Sequence, residues 1–116
     1  MTCRIVVADN DRDALDLLVL DLELEGHTIV GAVMQGEDAV EMVERLRPDV
    51  LVVDYRMPPG VDGLEVVRLV REIPGLRTVL YSNYHDRRLR EQTAKLGATY
   101  LQKGQLSALR RAVAAA

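Results

Sequence analysis

The chain has 116 residues, enough for one domain with a sizeable core, and 48% of them are hydrophobic, which excludes an intrinsically disordered segment. Its net charge of −3 and pI of about 5.3 argue against a nucleic-acid-binding surface, which is usually basic. The single cysteine, Cys3, excludes an internal disulfide, and no apolar run nears the roughly 18 residues of a membrane span. A reducing cytoplasm is the expected location, because the start "MTCRIVVADN" lacks the basic segment and long apolar stretch of a signal peptide. Aromatic residues make up only 3%, with no Trp or Phe, so the core must be aliphatic.

Along the chain, short β-branched runs alternate with helical stretches. "RIVVA" (4 to 8) opens as a strand. From Asp11 the chain runs about fifteen residues without a breaker, too long for a typical strand, so a helix is expected even though "LDLELE" alternates. That helix carries two apolar stripes about 180° apart. Leu15, Leu18, Val19 and Leu22 form one; Leu17, Leu20 and Leu24 form the other. Only one stripe can face a sheet. The other is either covered by the last helix or open to a second copy or an output domain.

"TIVGAV" (28 to 33) is the second strand, followed by a helix with Ala39, Val43 and Leu46 on one face. "VLVVD" (50 to 54) is the third, followed by a helix with Val66, Val70 and Ile73 aligned. "TVLY" (78 to 81) leads to a polar helix near Asp86 to Leu96, and "TYLQ" (99 to 102) to a last helix bearing Leu106, Leu109 and Val113. Gly26, Pro48, Pro74-Gly75 and Gly97 supply the stops. Apolar runs this short suit strands buried on both faces of a parallel sheet, with helices on both sides and right-handed crossovers. No linker or second composition regime interrupts residues 1–116, so a single α/β domain is expected.

In such sheets, sites form beyond the carboxyl ends of the strands. Asp9, Asn10 and Asp11 follow the first strand, Asp54 ends the third, Ser82 and Asn83 end the fourth, and Lys103 ends the fifth. Each alone has an ordinary reading. Asp9, Asn10 and Asp11 are good helix caps, Asp54 a turn residue, Ser82 a loop hydroxyl and Lys103 a solvated surface group. Together they are mutually compatible. Converging carboxylates need a cation, and hard oxygen ligands suit Mg²⁺, with Mn²⁺ as a substitute. The joint reading is a site where Asp54 attacks phosphorus while Lys103 and Ser82 hold the phosphoryl oxygens.

The motif "VVDYRMPPGVDG", with "RIVVADND", "TVLYSN" and "TYLQK" at matching spacings, resembles the receiver domain of bacterial two-component response regulators over essentially the whole chain. The resemblance implies a five-stranded, doubly wound flavodoxin-like fold with strand order 2-1-3-4-5. It implies a signalling switch rather than an enzyme with turnover, with Asp54 accepting a phosphoryl group from a sensor histidine kinase. It makes Asp9, Asn10, Asp54 and the backbone carbonyl of Arg56 the metal ligands. Ser82 becomes the switch hydroxyl, Tyr100 the switch aromatic and Lys103 the partner of the acyl phosphate. Arg56 and Tyr84 occupy positions that tune dephosphorylation. Implied partners are the kinase, an output domain or downstream protein that could control transcription, and a homodimer, with no membrane or direct nucleic-acid contact.

Some residues depart from the family pattern. Asn10 stands where a second acid is expected, which predicts weaker Mg²⁺ binding. The turn after Asp54 is one residue longer than the commonest form, and "GATY" before Tyr100 is one shorter. Gly104 replaces a frequent proline, which predicts a looser loop. The alternative is a pseudo-receiver, an interaction module that works without phosphorylation, for which Asn10 is the main support. A phosphatase of the haloacid-dehalogenase type would want an acid where Arg56 stands. A nucleotide or flavin site would want a glycine-rich or flavin-binding loop in place of "ADNDRD".

Overall fold

In the computed structural model, which describes residues 2–84 and 86–115, strand and helix alternate five times. The elements are β1 (Arg4–Ala8), α1 (Arg12–Leu24), β2 (Thr28–Val33), α2 (Gly36–Leu46), β3 (Val50–Val53), α3 (Gly63–Val70), β4 (Arg77–Ser82), α4 (Arg87–Lys95), β5 (Thr99–Gln102) and α5 (Leu106–Ala114). The strands form one parallel sheet in the order β2-β1-β3-β4-β5. The switch in strand order falls between β1 and β3, so the Asp9 and Asp54 tips are neighbours: Ala8 pairs with Val53 one residue before each.

Successive side chains of a strand point to opposite faces, which splits the core in two. Val6, Ala8, Leu51, Val53 and Leu80 face α2, α3 and α4; Ile5, Val7, Val50, Val52, Val79 and Tyr81 face α1 and α5. β1 and β3 are buried over nearly their whole length, as expected for central strands, whereas edge strands β2 and β5 are only half-buried. The expectation of burial on both faces therefore holds only for the interior of the sheet.

The structure decides the questions the periodicity left open. "LDLELE" is helical through Leu24 with Glu25 as its C-cap, and at the other end Asp11 caps α1 by accepting from the backbone N–H groups of Asp13 and Ala14. Leu15, Leu18 and Leu22 are buried against the sheet. The opposite stripe is not covered by α5: Leu17, Leu20 and Leu24 are 68%, 53% and 76% exposed. Leu106, expected on the inner face of α5, is likewise exposed, and only Leu109 and Val113 are buried there. α3 ends at Val70, so Ile73 reaches the core from a turn rather than from the helical face with Val66. α4 sits on the sheet through Leu89 and Thr93, whose hydroxyl donates back to the Leu89 carbonyl at 2.7 Å.

Candidate functional site at the carboxyl edge of the sheet

Two backbone hydrogen bonds align the acid-bearing tips. The Asp9 N–H donates to the Val33 carbonyl at 3.1 Å, and the Asp54 N–H to the Ala8 carbonyl at 2.9 Å. The Lys103 N–H donates to the Ser82 carbonyl at 2.9 Å, which sets β5 beside β4 at the same edge. The sheet thus brings Asp9, Asp54, Ser82 and Lys103 to one place. Lys103 lies between the carboxylates, its Nζ 2.7 Å from Asp9 Oδ2 and 3.3 Å from Asp54 Oδ2. The other oxygen of each acid is occupied locally, Asp9 Oδ1 by the Asp11 N–H and Asp54 Oδ1 by the Tyr55 N–H. Lys103 is therefore a part-buried ion-pair centre and not a solvated surface group.

The Asp54 carboxyl is only 13% exposed. Burial raises its pKa above the usual 3.8; the Asp9 charge raises it further, and Lys103 and the Tyr55 N–H pull it back only in part. For Lys103, burial acts to lower the pKa, but the hydrogen bond to Asp9 and the charge of Asp54 outweigh it and raise the ammonium above 10.5. A raised Asp54 costs the fold stability once pH exceeds about 3.8, where the unfolded chain ionises first. Asp54→Asn is therefore expected to raise the thermal midpoint at pH 7, with the gain shrinking as pH falls through the carboxylate range. Thermal unfolding at pH 7 and pH 4 checks this, and an unchanged or lowered midpoint at pH 7 would refute it.

An open depression of about 400 Å³ is lined by Asp54, Arg56, Ser82, Tyr84 and Lys103, with Asp11 and Asn83 at its rim. Ser82 is buried, and its Oγ accepts the Tyr84 N–H at 3.0 Å. The Tyr84 ring packs beside Tyr55, centroids 5.1 Å apart, with the Arg56 guanidinium over it at 5.0 Å. Tyr100 donates its hydroxyl to the Tyr84 carbonyl, while Arg90 stacks on the Tyr100 ring at 5.2 Å. Tyr84 is the junction of β4, β5 and the turn after Asp54.

Asn10 is exposed at the edge, and its Nδ2 donates to the Pro58 carbonyl at 3.1 Å. Asp11 caps α1 through Oδ1, the role its position favours. Among the described residues no group of three or more His, Cys, Asp or Glu is placed to hold a metal. The donor set available at this edge is instead two carboxylates, an amide oxygen and backbone carbonyls, a hard set that fits Mg²⁺.

Three contributors were not singled out from the sequence. Gly63 brings α3 against the tip of β3: a Cβ there would lie 2.0 Å from the Asp54 carbonyl oxygen, and its N–H donates to Tyr55 O at 2.6 Å. The Asp-Gly pair inside the motif was the available signal. Tyr55 is the platform for Tyr84, signalled only by a tyrosine next to Asp54. Tyr81 is the third, reaching from β4 to the turn after Lys103. Its hydroxyl accepts the Gly104 N–H at 3.0 Å, and Gly104 has φ +98, a left-handed conformation closed to proline.

The family model described as the response regulator receiver domain matches residues 5–114. Response regulator GacA of Pseudomonas aeruginosa is 31% identical over 102 residues, 86% of this chain and 47% of that protein, so the chain spans about half the length of this relative. The signal receiver domain of the putative response regulator NarL from Mycobacterium tuberculosis has 30% identity and a TM-score of 0.81, covering 97% of this chain and 98% of that one. A DNA-binding response regulator of the LuxR family from Staphylococcus aureus superposes with a TM-score of 0.88 at 21% identity, over 96% and 95% of the two chains, a likeness of fold.

Proposed function

The chain belongs to the response regulator receiver domain family, and from that footing we propose that it is a phosphorylation-dependent switch of a two-component system, with Asp54 as the phosphoacceptor. The observation that carries the proposal is the part-buried Asp9–Lys103–Asp54 cluster at the mouth of an open depression. A desolvated carboxylate of raised pKa is a stronger nucleophile than a solvated one. An Asp54 oxygen attacks phosphorus, the P–N bond of a phosphohistidine donor breaks, and the imidazole nitrogen keeps the electron pair. Lys103 then neutralises one phosphoryl oxygen. Asp9, the Asn10 amide oxygen, Asp54 and the Arg56 carbonyl would hold Mg²⁺, which supplies charge neutralisation for the transferring group.

The Ser82 hydroxyl changes partner in this reading. It accepts from Tyr84 N–H now, and donates to a phosphoryl oxygen once Asp54 is modified. Releasing that N–H perturbs Tyr84, whose carbonyl holds Tyr100, so the change travels from β4 to β5 and the surface beside it. A histidine kinase upstream, an output domain or downstream protein and a cytoplasmic location belong to the same proposal. So does the reading of residues 1–116 as one receiver domain that accepts phosphate without turnover.

Borohydride reduction after treatment with acetyl phosphate and Mg²⁺, followed by peptide mapping, tests the acceptor. The modified position is expected at Asp54; modification elsewhere, or none, would favour an interaction module independent of phosphorylation. Two finer outcomes are expected. Asn10→Asp should tighten Mg²⁺ by about tenfold, the effect of roughly 1.4 kcal/mol from one added charge, and titration calorimetry showing no gain would remove that role. Arg56 and Tyr84 crowd the approach to Asp54, so the double change Arg56→Ala, Tyr84→Ala should speed loss of the phosphoryl group. An unchanged decay rate would count against it.

A further inference from the structure

Asn10 and the lengthened turn after Asp54 both depart from the family pattern, and they meet in one contact. The loop between β3 and α3 is closed at its base by the Gly63 N–H, which donates to the Tyr55 carbonyl, and is anchored in the core by Met57. Its tip has no such support. Among the described residues, the backbone of residues 56–61 makes two hydrogen bonds, and both go to side chains outside the loop. Asn10 Nδ2 donates to the Pro58 carbonyl at 3.1 Å, and Glu37 Oε2, in the first turn of α2, accepts the Val61 N–H at 3.1 Å. α2 is seated directly on the loop: a Cβ at Gly36 would lie 2.5 Å from the Val61 carbonyl oxygen, and one at Gly60 2.1 Å from Glu37 Oε1. From this arrangement we propose that Asn10 and Glu37 clamp the loop, and that Asn10 is thereby a positioning residue for the Arg56 carbonyl, two residues before Pro58.

The chemistry of position 10 favours this role. A carboxamide carries two N–H donors and an acceptor, whereas an ionised carboxylate only accepts. An aspartate in place of Asn10 would set two acceptors against each other at Pro58. The tip also has few donors of its own, because Pro58 and Pro59 carry no N–H. A longer loop has more conformational freedom to lose, and a tether on each side of the tip restricts it. Asn10 directly follows Asp9, so one tether joins the loop to the strand tip that bears a cation ligand; the other joins it to α2. Neither uses the Arg56 carbonyl itself. The positioning role rests on the switch reading above, whereas the clamp does not.

Amide hydrogen exchange on the metal-free chain reads the clamp. One lost hydrogen bond corresponds to about three- to tenfold faster exchange. Asn10 bonds to Pro58 and not to Val61, yet Asn10→Ala should speed exchange at Gly60 and Val61 by that factor, and so should Asn10→Asp. Glu37→Ala should do the same, whereas Glu37→Gln, which keeps an acceptor, should not. Titration calorimetry with Mg²⁺ reads the positioning. Glu37→Ala and Glu37→Gln lose the same charge, so its effect on the cation is equal in both. Glu37→Ala should still bind Mg²⁺ about threefold more weakly than Glu37→Gln, a difference that a merely structural contact would not produce. Unchanged exchange at Gly60 and Val61 in Asn10→Ala would overturn the clamp. Equal Mg²⁺ affinity in the two Glu37 variants would overturn the positioning role. A wild type that binds no Mg²⁺ would overturn the switch reading and the positioning role with it, while the exchange result still decides the clamp.

Discussion

Lys103→Met should cost about 3 kcal/mol of stability at pH 7, the lower end of what losing one partner of a buried ion pair costs. It should also slow phosphoryl uptake about 100-fold. Lys103 lies between two carboxylates, one 3% and the other 13% exposed. Without the ammonium, Asp9 and Asp54 face each other with only backbone N–H groups and water as compensation. The pH dependence separates this cause from lost packing. The penalty should shrink as pH falls toward the carboxylate range, where protonation removes the repulsion, and Mg²⁺ should restore more stability to the variant than to the wild type. At the alkaline end the sign reverses. Lys103 is raised above 10.5, so its contribution is complete below that value and is lost as pH rises through the folded-state pKa. A penalty that did not change with pH, measured by denaturant unfolding, would contradict the ion-pair account.

Gly63→Ala should destabilise the fold by about 3 kcal/mol, the upper part of the range for overpacking, and should abolish phosphoryl uptake in whatever fraction stays folded. The added methyl would stand 2.0 Å from the Asp54 carbonyl oxygen and 2.8 Å from Leu80 Cδ1. Leu80 could shift, but the Asp54 carbonyl belongs to the backbone that positions the Asp54 carboxylate. Gly75→Ala makes the contrast, because an added Cβ there meets nothing within 4 Å, leaving only the strain of its φ of +76. Equal losses in the two variants would mean that close approach at Gly63 is not what matters.

These two positions show how far the sequence could be read. Lys103 was legible because a strand tip is a topological position, and alternation of short runs with helices locates the tips. The order of strands was not readable from periodicity and came from the resemblance; the β1–β3 adjacency that places Asp9 beside Asp54 depends on it. Gly63 was harder to read, because its role is a distance between two backbones, and the Asp-Gly pair announces a turn but not that distance. The tyrosine junction was hidden for a similar reason. Tyr55, Tyr84 and Tyr100 belong to three different segments, and only the folded edge brings them together. The two stripes of α1 were clear in the sequence, yet periodicity could not say which would stay exposed. That depended on how much of α1 the neighbouring α5 covers, and it leaves Leu17, Leu20 and Leu24 in solvent.

A change in mass decides whether Asp54 is a Mg²⁺-dependent phosphoacceptor. Intact-mass measurement after incubation with acetyl phosphate compares wild type with Asp54→Asn, each with Mg²⁺ and with EDTA. A gain of about 80 Da, one phosphoryl group, is expected in the wild type with Mg²⁺ and in no other sample. No gain with Mg²⁺ or Mn²⁺, or an equal gain in Asp54→Asn, would contradict it.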